Sequence, residues 1–366
     1  MTPSIDFGIG RPQALLLKAA LGTDKAEGAA ALAAWWQGIT SFDEVHGTDS
    51  GLFAQIYANL GNHIPERQLL ARMKGAARHV WLRNQYMVAD CATLVGTLAE
   101  VGIPTMLLKG AAMVVAVDQG IGLRWMSDCD ILVPLESARA CVRVLAEKGL
   151  TEAQDLTLRD LSLVHGLTLH DKGSGRDRID LHWQPIRDIG ANSMARAMFA
   201  AGHPAEIGGQ ACQVPAFEHM VFHAVVHGTE WSPQPRYDWL VDTVKILRRA
   251  GPGFDWDRLR RTALDYRFGF LLAAALGEAR RHFPDLVPQA ALSGLARRPV
   301  YFERREVEVR RAAPSMRTVG DELLVAAQKA RRGSDGALQR STLRTAPAIY
   351  RSLYGPPETA PSPSGS

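Results

Sequence analysis

The chain has 366 residues, 46% of them hydrophobic, and a formal net charge of +4 at pH 7. This length is enough for two or three domains, and the mild, dispersed charge permits an anionic partner without requiring one. The first residues lack the basic and apolar segments of a signal peptide, and no apolar run reaches membrane length. We therefore expect a cytoplasmic protein without a membrane partner, and no basic stripe supports a nucleic-acid partner.

The four cysteines are far apart in the sequence. They are Cys91, Cys129, Cys141 and Cys212. No CxxC pair is present, so neither a zinc knuckle nor a disulfide framework is indicated. The spacing predicts four reduced thiols.

Residues 1–97 are predicted to form an N-terminal helical region. Segments 25–36 and 67–98 are rich in alanine and carry apolar residues at helical spacing. Trp35, Trp36 and Trp81 are expected to pack in the core or between helices, because large aromatic side chains dominate core burial.

Residues 98–190 alternate between strand and helix patterns and are predicted to form the core of an α+β fold with a small mixed sheet. The strand patterns cover residues 105–108, 128–133, 163–170 and 178–183. A helix pattern at 137–148 ends at a glycine, and the glycine-containing segment 171–177 suits a hairpin loop.

Residues 191–330 are predicted to form a C-terminal helical region. Segments 217–227 and 238–249 carry the clearest helical patterns, and the residues between them are rich in turn formers. Residues 331–366 are predicted to be a basic segment followed by a disordered Pro/Ser-rich tail.

Asp128 and Asp130 open the apolar run that ends at Val133. In a strand, alternate residues point to the same face, so these two carboxylates are expected side by side. Two convergent carboxylates on a rigid strand suit a hard cation such as Mg²⁺. The structural alternative is that a nearby cation such as Arg124 neutralises the pair, since burying unpaired charges is costly.

The same alternation places Asp180 and His182 together on one face of the strand at 178–183. If this strand lies near the Asp128 strand, three aspartates converge. Three carboxylates can hold two Mg²⁺ ions roughly 3.5–4 Å apart, the separation used for in-line phosphoryl displacement.

Lys109, Gly110 and Ala111 form a turn between an apolar strand and a helix pattern. Free backbone N–H groups and the helix dipole favour a phosphate at such a position, and glycine permits close approach. The turn is not a P-loop, because GxxxxGK[ST] is absent, and an ordinary glycine turn remains the structural alternative.

Three segments together carry a resemblance to a known family. They are LLKGAA at residues 107–112, LRWMSDCDILV at 123–133 and IDLHW at 179–183. In this order they resemble the uncharacterised nucleotidyltransferase family of the DNA polymerase β-like nucleotidyltransferase superfamily.

The resemblance implies a nucleotidyltransferase fold, an NTP donor and two-metal catalysis with Mg²⁺ or Mn²⁺. Asp128 and Asp130 would bind both metals, and Asp180 would be the third metal ligand and the candidate base. Gly110 would shape the triphosphate turn. The superfamily usually has Gly-Ser at this turn, whereas here Ala111 follows the glycine and a phosphate-binding hydroxyl is missing.

Four further side chains are candidates for the site beside these carboxylates. Ser127 or Lys109 is expected to replace the missing hydroxyl, and Arg124 either pairs with phosphate oxygens or screens the aspartates. His182 either orients Asp180 or packs as an ordinary strand histidine.

His219, His223 and His227 lie along one face of a predicted helix. The outer two are about 12 Å apart at 1.5 Å rise per residue, so one zinc ion cannot bind all three. We expect His223 and His227 to line a cleft. Its wall is expected to include Arg236, Tyr237, Asp238 and Asp242.

The predicted function is a Mg²⁺-dependent nucleotidyltransferase that moves an NMP from an NTP to a hydroxyl-bearing acceptor and releases pyrophosphate. The acceptor, a small molecule or a peptide, is not indicated by the sequence. Two alternatives remain open: the same fold with another phosphorylated donor such as a sugar nucleotide, and a non-catalytic nucleotide- or peptide-binding module in a biosynthetic assembly.

Overall fold

The structure is a computed structural model that describes residues 5–118, 123–152, 161, 164–171, 177–189, 193–229, 236–295, 301–311 and 318–332. The centre of the predicted hairpin loop, the turn-rich residues 230–235 and the predicted tail lie outside these ranges. None of the described helices combines the length and the apolar character needed to cross a membrane.

The N-terminal region is helical, as the sequence predicts. Its helices are α1 (Arg11–Leu21), α2 (Lys25–Gln37), α3 (Gly47–Ser50), α4 (Phe53–Leu60) and α5 (Arg67–Glu100). Trp35 is buried and Trp36 packs against the core, but the prediction for Trp81 is wrong, because its side chain is 52% exposed on α5. Periodicity alone does not show that this face of a long helix is left uncovered.

A mixed sheet forms the centre of the molecule and confirms the α+β class. Its first five strands are β1 (Met106–Leu107), β2 (Cys129–Leu132), β3 (Leu150–Glu152), β4 (Gly166–Asp171) and β5 (Asp177–His182). Helix α6 (Lys109–Ala112) follows β1 and continues as one π-helical segment (Met113–Val117), and α7 (Ala138–Glu147) follows β2. β2 pairs in parallel with β5 and antiparallel with β1.

A hairpin in the C-terminal region departs from the all-helical prediction. After α8 (Ser193–Ala201), strands β6 (His203–Ile207) and β7 (Gln210–Val214) pair with each other, and β7 pairs in parallel with β1. The turn between them is Gly208-Gly209, both with positive φ (+54° and +83°). Two glycines in this conformation suit a two-residue hairpin, so the Gly208-Gly209 pair in the sequence was a local indication of this turn. Within the described residues the strand order is β3-β4-β5-β2-β1-β7-β6.

The remaining helices follow the hairpin. They are α9 (Phe217–Gly228), α10 (Asp238–Ala250), α11 (Trp256–Asp265), α12 (Gly269–His282), α13 (Gln289–Leu295), α14 (Tyr301–Arg311) and α15 (Val319–Arg332). One hydrophobic core runs from α1 through the sheet to these helices. The division of the chain into four regions at 97, 190 and 330 stays a prediction.

A disulfide contradicts the prediction of four reduced thiols. Cys91 of α5 and Cys129 of β2 are bonded, with their Cα atoms 5.8 Å apart, whereas Cys141 and Cys212 are free. The two bonded cysteines are 38 residues apart in sequence, and only the packing of α5 on β2 brings them together. Sequence spacing carries no information about such a long-range contact.

Candidate active site

Two carboxylates lie side by side on adjacent strands. In the parallel pair β2/β5, Asp130 is in register with Asp180, and Leu132 with His182. Ile131 and Leu181, one residue along, are fully buried in the core. Strand alternation therefore places Ile131 and Leu181 on one face of the sheet and Asp130, Asp180 and His182 on the other.

His182 and Lys109 neutralise these carboxylates. His182 Nε2 lies 3.0 Å from Asp130 Oδ1 and 3.1 Å from Asp180 Oδ2. Lys109 Nζ lies 2.5 Å from Asp130 Oδ1 and 3.7 Å from Asp180 Oδ2. The cluster thus places two carboxylates, one imidazole and one ammonium in direct contact.

These contacts move the pKa values of the cluster. Burial raises the pKa of Asp130, but the His182 hydrogen bond and the charge of Lys109 outweigh it, so this pKa lies well below its usual range. The pKa of Asp180 is lowered for similar reasons, with His182 opposing burial. Burial lowers the pKa of His182, but hydrogen bonds to both aspartates raise it to about 8.

Asp128 is held differently from Asp130. It lies one residue before β2 and is half-buried, and Ser127 Oγ donates a hydrogen bond to its Oδ1 at 3.1 Å. Burial and the charge of Asp130 raise its pKa. Among the described residues, one ligand atom each from Asp130, Asp180 and His182 lie within 4.8 Å of one another, and Asp128 is outside this group.

The predicted phosphate turn has an unusual backbone at its first residue. Lys109 has a φ of +44°, a left-handed conformation that costs a non-glycine residue free energy. Its ammonium group contacts the carboxylates. Gly110 is buried, and a Cβ there would lie 2.7 Å from Met126 Cγ and 3.1 Å from Arg124 Nη1. The glycine is therefore required for the close approach of the segment before β2. Ala111 is also buried, in the hydrophobic core.

Arg124 is fixed by partners that sequence analysis did not identify. Its Nε donates to Asp242 Oδ2 at 2.9 Å, and its backbone carbonyl accepts from Asn84 Nδ2 at 2.9 Å. The charge of Asp242 raises the pKa of Arg124, and burial raises the pKa of Asp242. Asp242 was expected only as part of a cleft wall, and nothing in the sequence of α5 indicated Asn84.

The helical histidines separate into two environments. His223 is buried, and its Nε2 lies 2.9 Å from the carbonyl oxygen of Pro185, whereas His227 is exposed at the surface of a cleft. Their rings stack with centroids 5.5 Å apart. Asp238 lies in the same cleft and accepts from Arg236 Nη2 at 3.0 Å.

The cleft has a volume of about 960 Å³. The predicted site residues Lys109, Arg124, Ser127, Asp128, Asp130, His227 and Asp238 line it. Residues of α3 and α4, together with Ala76, His79 and Val80 of α5, form its other wall. A smaller pocket of about 90 Å³ adjoins Lys109 and is lined by His223. The structure therefore gathers most of the predicted residues around one opening, while Asp180 and His182 contact Asp130 from outside this lining.

A sequence profile of the uncharacterised nucleotidyltransferase family matches residues 33–284. No curated protein matches the chain.

Two solved structures are similar at low sequence identity. One is the solution structure of antibiotic-resistance factor ANT(2'')-Ia, which is 15% identical in sequence. The superposition covers 54% of this chain and 99% of the ANT(2'')-Ia chain, with a TM-score of 0.36. The other is the crystal structure of an antigenic nucleotidyltransferase-like protein from Paracoccidioides brasiliensis, which is 14% identical in sequence. The superposition covers 57% of this chain and 92% of the Paracoccidioides chain, with a TM-score of 0.36. The profile match spans most of the chain and includes every site residue described above. The chain therefore belongs to the uncharacterised nucleotidyltransferase family.

Proposed function

We propose that the protein is a nucleotidyltransferase that uses Mg²⁺ or Mn²⁺ to move an NMP group from an NTP to a hydroxyl of an acceptor. The acceptor oxygen bonds to the α-phosphorus, the bond from that phosphorus to the bridging oxygen breaks, and pyrophosphate leaves. The observation that carries the proposal is the contact between Asp130, Asp180 and His182 beside a cleft that also contains Asp128.

The available ligand atoms fit hard divalent cations. Carboxylate oxygens are the ligands that Mg²⁺ and Mn²⁺ prefer, and Asp130 and Asp180 offer two in direct proximity. We propose Asp128, Asp130 and Asp180 as the metal ligands, with His182 orienting the latter two by its hydrogen bonds. Bound ions would neutralise the triphosphate and acidify the attacking hydroxyl.

Asp180 is proposed as the base that accepts the proton of the acceptor hydroxyl. Its lowered pKa keeps it ionised at neutral pH, and its side chain is 25% exposed and therefore accessible. Thr168 Oγ1 lies 3.3 Å from Asp180 Oδ1, and His182 contacts Oδ2, so both carboxylate oxygens are oriented.

Arg124 and Lys109 are proposed to bind the triphosphate. Both line the cleft, and Asp242 holds Arg124 through Nε, which leaves its terminal guanidinium nitrogens to approach phosphate oxygens. The backbone of Gly110 and Ala111 and the hydroxyl of Ser127 are proposed as further phosphate contacts. This arrangement supplies a hydroxyl from Ser127 where Ala111 has none.

The acceptor is proposed to enter the same cleft between the N-terminal helices and α10. His227 and Asp238 lie on the α10 side, and the residues from Gly47 to Gln55 contribute to the opposite side. A volume of about 960 Å³ accommodates a drug-sized ligand, so a small molecule or the end of a peptide fits.

The test is incubation of the purified protein with Mg²⁺, a panel of NTPs and sugar nucleotides, and fractions of small molecules and peptides. We expect pyrophosphate release and an acceptor product heavier by one NMP group. Asp128→Asn and Asp130→Asn are the matched controls, because each removes one proposed ligand with little change in size.

A second measurement does not depend on finding the acceptor. Calorimetry with a nonhydrolysable NTP should show binding that requires Mg²⁺ and that is lost in Asp128→Asn. Nucleotide binding that is indifferent to Mg²⁺ would contradict the proposal and favour a non-catalytic binding module. A product that carries a sugar phosphate would instead identify a different donor.

A further inference from the structure

Trp125 is a large, 45% exposed side chain in the wall of the cleft. The other large apolar side chains that are exposed in the described part of the chain, Trp81 and Tyr86 among them, lie outside this wall. An indole combines a large apolar face with a polar edge, so it is well suited to contact a ligand ring. Its exposure within the cleft makes it available to a ligand.

The backbone on both sides of Trp125 is hydrogen-bonded to side chains of helix α5. Asn84 Nδ2 donates to the carbonyl of Arg124 at 2.9 Å, and Arg83 donates to the carbonyls of Met126 and Ser127 at 3.2 and 2.8 Å. The exposure of the indole thus does not come from a loosely held segment. A side chain on a fixed backbone loses less conformational freedom when a ligand binds.

Two side chains of α5 also contact the indole ring. The His79 ring stacks on it with centroids 5.1 Å apart and an interplanar angle of 28°, and His79 lines the cleft as well. The guanidinium carbon of Arg83 lies 5.6 Å from the indole centroid, within the range of a cation–π contact. Together they hold the orientation of Trp125.

The position of Trp125 relative to the charged groups suggests its ligand. Trp125 directly follows Arg124 and precedes Asp128 by three residues. The proposed function places the triphosphate beside Arg124 and the Lys109 turn. The base is at the opposite end of an NTP from the γ-phosphate, so it must bind away from that turn, elsewhere in the cleft.

We propose that Trp125, which His79 holds in place, forms a subsite that binds the nucleobase of the donor NTP by stacking. The proposal rests on the proposed function, because it assumes an NTP donor. Stacking on an aromatic ring tolerates every base, so this subsite adds affinity for the nucleoside without selecting one base.

The experiment measures binding to the full-length protein in Mg²⁺ by calorimetry, with a nonhydrolysable NTP and with inorganic tripolyphosphate. The variants are Trp125→Ala, Trp125→Phe and, as a matched control, Trp81→Ala, which removes an indole of similar exposure outside the cleft. Removal of a base-stacking aromatic side chain weakens binding by roughly 5- to 150-fold. We expect this loss for the NTP with Trp125→Ala, no change for tripolyphosphate, and near-wild-type NTP affinity for Trp125→Phe and Trp81→Ala.

Three results would overturn the subsite. Wild-type NTP affinity in Trp125→Ala would contradict the proposed base subsite and leave the proposed function intact. An equal loss for the NTP and tripolyphosphate in both Trp125 variants shows that Trp125 supports the phosphate site instead. If the wild-type protein binds neither the NTP nor tripolyphosphate in Mg²⁺, both the proposed function and the subsite that rests on it are contradicted.

Discussion

Asp128 and Asp130 are separated by one residue, yet their pKa values move in opposite directions. Burial and the neighbouring carboxylate raise the pKa of Asp128, whereas His182 and Lys109 overcome burial and lower that of Asp130. At neutral pH the folded protein therefore gains stability from ionised Asp130 and loses some from ionised Asp128. The two carboxylates have different effects on folding even though we propose the same chemical role for both.

Asp128→Asn should abolish activity without destabilising the protein. The amide cannot replace a metal-binding carboxylate, and we expect NMP transfer to fall on the order of 10²–10³-fold or more. Because the substitution removes a charge that folding disfavours, the thermal midpoint should equal or exceed that of the wild type. Parallel measurement of NMP transfer and thermal unfolding checks both expectations, and a fully active variant would rule out the proposed site.

Asp130→Asn should lose both activity and stability. Asp130 is nearly fully buried, and its removal leaves Lys109 without its close partner and His182 without one of its two. Breaking a buried ion pair from one side costs about 3–5 kcal/mol. Denaturant unfolding should therefore separate this variant clearly from Asp128→Asn. If both variants unfold at the same denaturant concentration, the claim that Asp128 and Asp130 contribute differently to stability is wrong.

Gly110→Ala tests the close packing of the phosphate turn. The new Cβ would lie 2.7 Å from Met126 Cγ, so Met126 and its neighbour Arg124 must move, at a cost of about 1–3 kcal/mol. We expect lower stability and a raised KM for the NTP. Gly75→Ala is the matched control, because its Cβ in α5 meets nothing within 4 Å, and it should stabilise the protein by about 0.5–1 kcal/mol. Equal effects of the two substitutions would contradict the close approach at Gly110.

The local part of the site was predictable from the sequence because strand alternation is a short-range rule. Asp130 and Asp180 each lie in an apolar run that favours a buried strand, and the period of two places Asp128 beside Asp130 and His182 beside Asp180. Asp130 and Asp180 meet only if β2 and β5 are neighbouring strands, and the sequence pattern alone does not show that they are. The family resemblance supplied that condition, and the register of the two strands fulfils it.

The parts that the sequence did not show depend on distant contacts. Asp242 lies 118 residues from Arg124, and Asn84 lies 40 residues from it, so no local pattern links them. Lys109 was expected to take the place of a phosphate-binding hydroxyl, but the sequence did not show that its ammonium group contacts Asp130. Such pairings come from the packing of whole elements, and neither periodicity nor composition encodes them.

The stability of the metal-free protein should fall as the pH rises through about 8. The pKa of His182 is raised from 6.5 to about 8 in the folded protein, so its protonated form is bound more tightly there than in the unfolded chain. This contribution is fully present below pH 6.5 and is lost as the pH passes about 8. Its size is about 2 kcal/mol, since each pKa unit corresponds to about 1.4 kcal/mol.

The measurement is denaturant unfolding in EDTA between about pH 6 and pH 9, for the wild type and His182→Asn. The difference in unfolding free energy between the two proteins should shrink as the pH rises, because the variant cannot gain the proton. Other titrating groups cancel in this difference. A difference that stays constant or grows with pH would show that His182 is not held protonated between the aspartates.

Reduction of the Cys91–Cys129 bond should destabilise the protein without unfolding the sheet. The bond joins α5 to β2 across 38 residues, and closing a loop of this length in the unfolded chain is worth about 4 kcal/mol in the chain-entropy model. We expect the unfolding free energy to drop by up to this amount in dithiothreitol. Cys91→Ala should show the same loss without reductant, and further reduction should have no effect on it.

Thiol counting decides whether the bond exists in the purified protein. The chain has four cysteines, and only Cys141 and Cys212 are free in the structure, so denatured, unreduced protein should react with alkylating reagent at these two positions alone. Prior reduction should add Cys91 and Cys129, which mass spectrometry of the peptides identifies. Alkylation at all four positions without reduction would support the thiols expected from cysteine spacing. In that case packing would hold α5 to β2, Arg83 and Asn84 would still bind the segment before β2, and dithiothreitol should leave the unfolding free energy unchanged.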